Sequence, residues 1–221
     1  MLIQKYILSK HLLLNPFAAI KHRFLTSVGV KSNLYFLDLD GTLWPDRGPG
    51  ALLRPFDIYP CWRKFFNQRN PYKATILVTN QAYFARKVEV SVWECLFFYA
   101  KAIFLMYKTG ATLMYVCNHH PNAQNRFLRK ECEYRKPYPL MVIDSLRLLN
   151  HESQSTYLVG DRISDILAAN LGGIETPILI YNDEMFTQNI SGQNALIDHA
   201  FFEIVKISEI DERLNRSKNE I

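Results

Sequence analysis

Short apolar runs alternate with longer segments of mixed polarity along most of this 221-residue chain. The apolar runs have the length of strands and are bounded by polar or turn residues. They predict five strands and a sixth strand or sheet edge, at residues 34–39, 74–79, 112–116, 157–159, 177–181 and 201–207. The mixed segments predict four helices, at residues 61–70, 90–108, 140–149 and 165–171.

Strands that alternate with helices are typical of a parallel sheet whose two faces are covered. We therefore predict an α/β fold, a Rossmann-like parallel sheet sandwiched by helices, in one domain over residues 34–210. The connection over residues 43–73 holds roughly 30 residues, which is short for an inserted domain, so no large cap domain is expected. In the long helix, we expect Trp93, Phe97, Ala100 and Phe104 to face the core.

The two ends of the chain differ from this pattern. Residues 1–33 contain lysine and arginine but no acidic residue, and they predict a basic helical extension packed on the domain. The alternatives are a helix that binds a membrane surface or a partner, and a transit peptide. Residues 211–221 predict a short charged tail.

Composition narrows the class of protein. Hydrophobic residues make up 48% and charged residues 21%, which is typical of a globular protein. The net charge of +5 suits a phosphorylated substrate and does not by itself indicate nucleic-acid binding. Four cysteines in a chain of this length indicate free thiols or metal ligands in a reducing, cytoplasmic compartment. No apolar run has the length of a membrane span, and the oligomeric state stays open.

Two aspartates end the first predicted strand. Asp38 and Asp40 project to the same side of an extended chain because side chains alternate with period two. Like charges held this close repel each other unless a cation or a proton lies between them. The pair therefore predicts a site for a hard, oxygen-loving cation such as Mg²⁺.

Other predicted strands and loops carry polar residues at the same edge of the sheet. These residues are Thr79, Asn80, Arg135, Lys136, Asp161 and Asp165. Such a set suits transfer of a phosphoryl group. One carboxylate can attack phosphorus, a second can protonate the leaving oxygen, and a metal ion can neutralise the repulsion between anions. A lysine and a hydroxyl can hold the phosphoryl oxygens.

The residues 38–42, Asp-Leu-Asp-Gly-Thr, resemble the first motif of the haloacid dehalogenase-like (HAD-like) phosphatases. Thr79, Lys136 and residues 160–165 match the other three motifs in order, so the resemblance covers residues 33–182. It implies that Asp38 is the nucleophile and Asp40 the general acid and base. It also implies that Thr79 and Lys136, assisted by Asn80 and Arg135, bind the substrate. Mg²⁺ would be held by Asp38, the backbone carbonyl of Asp40 and Asp161, with Asp165 acting indirectly.

A second signature is similar to the histidinol-phosphate and heptose-bisphosphate phosphatase group. It comprises residues 79–81, 117–121 and 132–139. The resemblance implies a structural Zn²⁺ held by a Cys-x-His pair and a Cys-x-Cys pair. Cys117, His119 and Cys132 are present, but Tyr134 occupies the position of the last cysteine. Either His120 or water completes a zinc site, or the cysteines are ordinary thiols in a loop held by packing.

These features predict a Mg²⁺-dependent phosphomonoester hydrolase that works through an aspartyl-phosphate. Its expected substrate is a sugar phosphate or bisphosphate, such as D,D-heptose 1,7-bisphosphate, or another small metabolite. We expect the loops at 44–55, 82–88 and 118–138 to select the substrate, with residues 82–84, Ala-Tyr-Phe, either crowding the entrance or presenting aromatic surface. The alternatives are a polynucleotide 3′-phosphatase, although nucleic acid is the less expected substrate, and a non-catalytic binding protein on the same fold.

Overall fold

A computed structural model of the chain describes residues 11–27, 33–48, 50–68, 73–149, 155–181 and 202–216. Seven strands are present in the described residues: β1 (Leu12–Leu14), β2 (Asn33–Leu37), β3 (Lys73–Asn80), β4 (Leu113–Cys117), β5 (Thr156–Gly160), β6 (Thr176–Tyr181) and β7 (Glu203–Lys206). The α-helices described are α1 (Pro16–Ser27), α2 (Pro60–Asn67), α3 (Val92–Thr109), α4 (Leu140–Leu148), α5 (Ile163–Gly172) and α6 (Ile210–Arg216).

The strands form one sheet in the order β1-β4-β3-β2-β5-β6-β7. All neighbouring pairs from β4 to β7 run parallel, and only β1 runs antiparallel, beside β4. The predicted α/β fold with a parallel sheet is thus confirmed. Strand β2 lies at the centre of the sheet, so its carboxyl end is flanked by the ends of β3 and β5.

Alternate residues of β2 enter two separate hydrophobic cores. Tyr35 and Leu37 belong to the core that also contains Phe65 of α2 and Phe98 of α3. Leu34 and Phe36 lie on the opposite face, in the core that contains Met141 and Val142 of α4. This alternation follows from the period-two geometry of a strand, and burial on both faces makes β2 a continuous apolar run.

The buried face of α3 differs from the one we predicted. Trp93, Phe97 and Phe104 are 80%, 56% and 54% exposed, whereas Phe98 and Leu105 are fully buried. Ala100 is also exposed. Apolar residues occur all around this helix, so its hydrophobic period does not select one face. The contact with the sheet and with the loop at 51–53 decides which side is buried.

The ends of the domain also differ from the prediction. Residues 16–27 are helical, but residues 12–14 form the edge strand β1, which the sequence analysis missed. Leu12 pairs with Tyr115, and Leu14 pairs with Leu113. At the other end, residues 211–216 continue the helix α6, in which Leu214 is fully buried, so this part of the predicted tail is packed on the domain. Residues 1–10 and 217–221 lie outside the described residues.

No second domain is found in the described parts of the two connections in which a cap was considered. The connection from β2 to β3 contains a short 3₁₀ helix (Ala51–Leu53) and α2, and that from β3 to β4 contains another (Phe84–Arg86) and α3. Among the described helices, none has both the length and the apolar character that a bilayer span requires.

Candidate active site

Three carboxylates converge where the central strands end. Asp38 follows β2, Asp161 follows β5, and Asp165 lies in the first turn of α5. Their carboxylate oxygens lie within 4.8 Å of one another, and all three side chains are buried. The parallel sheet explains this convergence because the carboxyl ends of adjacent strands share one edge. We call Asp38, Asp161 and Asp165 the acidic cluster.

Lys136 supplies a positive charge to the acidic cluster. Its Nζ atom lies 2.5 Å from Oδ1 of Asp38 and 2.5 Å from Oδ1 of Asp165, and it donates a hydrogen bond of 3.0 Å to the carbonyl of Val78. Burial alone would lower the pKa of Lys136, but the charges of Asp165 and Asp38 outweigh burial and raise it. The lysine therefore stays protonated at neutral pH.

The side chain of Asn80 holds the backbone of Lys136 from both sides. Its amide nitrogen donates a hydrogen bond of 2.9 Å to the carbonyl of Lys136, and its oxygen accepts one of 3.0 Å from the backbone nitrogen. Asn80 was predicted to bind substrate. It lines the cavity, but its amide group is engaged in placing Lys136.

The carboxylate of Asp40 is held apart from the acidic cluster. Its Oδ1 accepts a hydrogen bond of 2.8 Å from Nε1 of Trp44, and its Oδ2 accepts one of 2.7 Å from Nε2 of Gln81. Gln81 also donates a hydrogen bond of 2.9 Å to the hydroxyl of Thr79. The predicted pairing of the Asp38 and Asp40 side chains is therefore wrong, since the Asp40 carboxylate is bound by Trp44 and Gln81. Asp161 and Asp165, which the resemblance also assigned to the metal, are the carboxylates grouped with Asp38.

Burial and mutual repulsion raise the pKa values of the carboxyl groups. Burial, together with repulsion from neighbouring carboxylates and against the charge of Lys136, raises the pKa of Asp38 to about 7 and that of Asp161 to about 8. Burial also raises the pKa of Asp40, against the hydrogen bonds from Trp44 and Gln81. A divalent cation would relieve this repulsion.

The donor set and the local backbone fit Mg²⁺. The acidic cluster offers only oxygen atoms, which are the ligands that Mg²⁺ prefers. Gly41 has a φ of +86°, and a Cβ atom on it would lie 2.1 Å from Oδ2 of Asp161. Only glycine therefore lets the chain turn after Asp40 while the Asp161 carboxylate stays in place. This close packing keeps the carboxylate directed at the cluster.

The acidic cluster opens into a cavity of about 310 Å³. Asp38, Thr79, Lys136 and Asp165 form its buried part. The more exposed part of the cavity carries four basic side chains, those of Arg86, His120, Arg135 and Arg162. Burial, followed by the charges of Arg135 and Arg86, lowers the pKa of His120, as expected where the potential is positive. The cavity is therefore suited to an anionic ligand.

The loops around the cavity only partly match the prediction. Asp46 and Gly48 line it, as expected for the loop at 44–55. Tyr83 and Phe84 do not crowd the entrance, because Phe84 is fully buried in the core and the hydroxyl of Tyr83 donates a hydrogen bond of 3.1 Å to Glu94. Of this aromatic segment, only the small residue Ala82 reaches the cavity.

A second cluster of ligating side chains takes two of its members from the loop at 118–138. His11, Cys117, His119 and Cys132 place one ligating atom each within 4.8 Å of the others. We call this group the thiol–imidazole cluster. A hydrogen bond between the two thiols lowers the pKa of Cys132 and raises that of Cys117. His120 is not a member, since it lines the cavity and its Nδ1 accepts a hydrogen bond of 3.1 Å from the backbone of Asn122.

Sequence reasoning missed several residues of these sites. Gln81 and Trp44 lie inside or beside motifs that were recognised, so their closeness along the chain to Thr79 and Asp40 could have indicated a role. Arg162 directly follows Asp161, and its Nη2 donates a hydrogen bond of 2.6 Å to Asp46. His11 carries no such signal, because it lies 105 residues from its backbone partner Val116.

Known proteins match this chain in sequence and in fold. A family model described as HAD-hydrolase-like matches residues 133–185. The D-glycero-beta-D-manno-heptose-1,7-bisphosphate 7-phosphatase of Photorhabdus laumondii is 31% identical over 155 residues, which cover 66% of this chain and 78% of that relative. The protein of the same name from Haemophilus ducreyi is 27% identical over 176 residues, covering 77% of this chain and 94% of that relative.

Among solved structures, a D,D-heptose 1,7-bisphosphate phosphatase from B. bronchiseptica, complexed with magnesium and phosphate, has a TM-score of 0.60. The match covers 84% of this chain and 99% of that chain at 21% identity, which shows the shared fold. The match to the Photorhabdus relative shows the family as well as the fold, because 31% identity extends over 66% of this chain and 78% of that relative. The chain therefore belongs to the haloacid dehalogenase-like hydrolase family and is one of its phosphatases.

Proposed function

We propose that this phosphatase removes one phosphate from a sugar bisphosphate, with D-glycero-beta-D-manno-heptose 1,7-bisphosphate as the first candidate. The observation that carries the proposal is the distribution of charge in the cavity. Asp38, Asp165 and Lys136 lie in its buried part, and the basic side chains of Arg86, His120, Arg135 and Arg162 lie in its more exposed part. The reacting phosphate would lie in the buried part of the cavity, and the second phosphate would lie in the more exposed part. The names of the curated relatives support this choice of sugar.

In the first half of the reaction, a carboxylate oxygen of Asp38 attacks phosphorus. The bond from Asp38 to phosphorus forms while the bond from phosphorus to the sugar oxygen breaks, which gives an aspartyl-phosphate. Lys136, whose Nζ lies 2.5 Å from Asp38, holds the transferring phosphoryl oxygens together with Thr79. Asp40 gives its proton to the leaving sugar oxygen, and its raised pKa favours the protonated form that this step requires.

In the second half, Asp40 acts as a base. It accepts a proton from water as the water oxygen attacks phosphorus, and the bond between Asp38 and phosphorus breaks to release inorganic phosphate. Bound Mg²⁺, held by Asp38, Asp161 and the backbone carbonyl of Asp40 with Asp165 acting indirectly, would neutralise the anions that otherwise repel each other. Trp44 and Gln81 keep Asp40 out of the acidic cluster and free for proton transfer.

The arrangement of basic side chains favours a substrate with two anionic groups. Arg135 and His120 are half-buried, and Arg86 and Arg162 are exposed. Guanidinium groups bind phosphate in a bidentate manner, which suits a second phosphate at the rim.

The test is phosphate release from a panel of substrates with Mg²⁺ and without it. The panel contains the heptose bisphosphate, its monophosphate, histidinol phosphate, a nucleotide and a 3′-phosphorylated oligonucleotide. We expect the highest kcat/KM with the bisphosphate, a requirement for Mg²⁺, and a loss of at least about 1000-fold in Asp38→Asn, which lacks the nucleophile.

Asp57→Asn is the matched control because its carboxylate is 61% exposed and lies outside the cavity. Full activity of Asp38→Asn would exclude the aspartyl-phosphate. A preference for the oligonucleotide would replace the sugar by a nucleic-acid end. No release from any member by folded, Mg²⁺-loaded protein would favour a binding protein.

A further inference from the structure

We propose that His11 completes a four-ligand zinc site with Cys117, His119 and Cys132, and that the metal fastens strand β1 to the phosphatase domain. The four ligating atoms lie within 4.8 Å of one another, close enough to surround one ion. Tyr134 occupies the position where the related phosphatases would supply the last cysteine. The ligand that this chain uses instead comes from the segment before the first catalytic strand.

The imidazole of His11 has the orientation that a zinc ligand needs. Its Nδ1 lies 3.2 Å from the carbonyl oxygen of Val116, and because a carbonyl can only accept, Nδ1 carries the proton. The lone pair is therefore on Nε2, which lies 3.8 Å from Sγ of Cys132 and faces the cluster. A backbone carbonyl that fixes the tautomer of a histidine in this way is a common outer partner of metal ligands.

Tyr134 holds the ring of His11 from the side. The two rings stack with centroids 4.5 Å apart and an angle of 12° between their planes. The hydroxyl of Tyr134 donates a hydrogen bond to Asp144 of α4, which fixes the tyrosine in turn. The tyrosine at the expected cysteine position therefore does not ligate the metal but positions the histidine that does.

The other three candidate ligands are side chains that suit Zn²⁺. His119 is 2% exposed, and its Nδ1 makes no hydrogen bond with any residue that the structure describes. Cys117 and Cys132 are also buried. Two thiolates and two imidazoles form one of the common closed sets of structural zinc. Two thiolate charges balance the charge of Zn²⁺, so the whole site can be buried at small electrostatic cost.

His11 directly precedes strand β1, so a metal bond to its imidazole would fasten this strand to the domain. Strand β1 has three residues and lies at the edge of the sheet, and Leu12 and Leu14 are 37% and 56% exposed. The backbone nitrogen of Val116 donates a hydrogen bond of 2.7 Å to the carbonyl of His11, so His11 is joined directly to β4. A metal bond at this point would couple the N-terminal segment to the loop that holds Arg135 and Lys136.

The test is the zinc content and zinc affinity of the full chain, purified under reducing conditions. His11→Ala removes the proposed ligand, and His120→Ala is the matched control, because His120 lies outside the thiol–imidazole cluster. We expect close to one Zn²⁺ per chain in the wild type and in His120→Ala. His11→Ala should bind Zn²⁺ at least about 100-fold more weakly, since it loses one of four ligands. Chelator competition measures the affinity.

Two further readouts separate a lost ligand from a misfolded protein. The absorption of the Co²⁺-substituted wild type should show four-coordinate cobalt with thiolate ligands, and His11→Ala should lose the four-coordinate spectrum while circular dichroism is unchanged. Hydrogen exchange at residues 12–15 should speed up on zinc removal in the wild type. Equal zinc affinity in His11→Ala and wild type, loss of zinc only in His120→Ala, or a zinc-free protein with a Cys117–Cys132 disulfide would each overturn the proposal.

Discussion

The loop at 118–138 contacts the acidic cluster and contributes to the thiol–imidazole cluster, yet the chain assembles the two clusters in different ways. The acidic cluster takes its residues from the ends of β2 and β5 and from the first turn of α5, all set by the central parallel strands. The thiol–imidazole cluster joins the end of β4 and the loop to an antiparallel edge strand. Hard oxygen ligands thus lie at the centre of the sheet, and soft sulfur and nitrogen ligands lie at its edge.

Two adjacent residues connect the clusters. Lys136 pairs with Asp38 and Asp165 in the acidic cluster. Its neighbour Arg135 donates a hydrogen bond of 2.8 Å from Nη1 to the carbonyl of His119 in the thiol–imidazole cluster. We therefore propose a division of labour, in which the acidic cluster carries the chemistry and the thiol–imidazole cluster positions the loop that contacts the substrate.

The largest expected effect is that of Lys136→Met, which should disable the acidic cluster alone. Loss of one preorganised cation should lower kcat/KM by about 1000-fold. Because two buried carboxylates lose their counter-charge, the free energy of unfolding in Mg²⁺-free buffer should fall by about 3–5 kcal/mol. The zinc content should not change. Enzyme kinetics, urea denaturation and metal analysis measure the three quantities.

Lys130→Met is the control for this variant, because Lys130 is an exposed lysine of the same loop. We expect its kinetics and stability to match those of the wild type. If Lys136→Met also lost its zinc, the two clusters would form one unit rather than two.

A smaller effect is expected from Cys132→Ser, which disrupts the thiol–imidazole cluster and tests whether the activity depends on it. Zinc should be lost, and kcat/KM should fall by about tenfold, mainly through a higher KM, because Arg135 loses the fixed carbonyl of His119. Mg²⁺ dependence should persist. Metal analysis combined with initial rates at saturating Mg²⁺ measures this.

The matched control is Cys61→Ser, since Cys61 is a half-buried thiol outside both clusters. Unchanged kinetics in zinc-free Cys132→Ser would show that the metal serves only the attachment of β1. A loss of activity as large as that of Lys136→Met would mean that the thiol–imidazole cluster directly supports the chemistry.

The smallest effect is expected from Trp44→Phe, which alters Asp40 without touching either cluster. The indole donates a hydrogen bond of 2.8 Å to Asp40 and stabilises its charged form. Its removal should raise the pKa of Asp40, so the acid form persists to higher pH. The alkaline limb of the kcat/KM profile should then move up by about one pH unit.

Trp93→Phe is the control, because Trp93 is 80% exposed on α3 and is not one of the two residues that donate hydrogen bonds to the Asp40 carboxylate. An alkaline limb that stays in place in Trp44→Phe would show that a group other than Asp40 controls it. A shift to lower pH would contradict the sign of the hydrogen-bond argument.

The polar edge of the sheet could be predicted from the sequence. Strand ends in a parallel sheet meet at one edge, so the order of strands and motifs places Asp38, Thr79, Lys136, Asp161 and Asp165 near one another. The buried face of α3 could not be predicted, because several faces of this helix are equally apolar. Nothing in the helical period of α3 distinguishes Phe97, which is exposed, from Phe98, which is fully buried.

By itself, the sequence determined the parallel fold, the carboxylates at its carboxyl edge and the family of phosphatases, because these depend on short motifs and on the alternation of strands and helices. Only the tertiary structure decided that Trp44 and Gln81 hold the carboxylate of Asp40 outside the acidic cluster, and that His11 joins Cys117, His119 and Cys132. The physical reason is that side-chain direction at a turn and pairing at a sheet edge depend on contacts between distant segments, which no local pattern encodes.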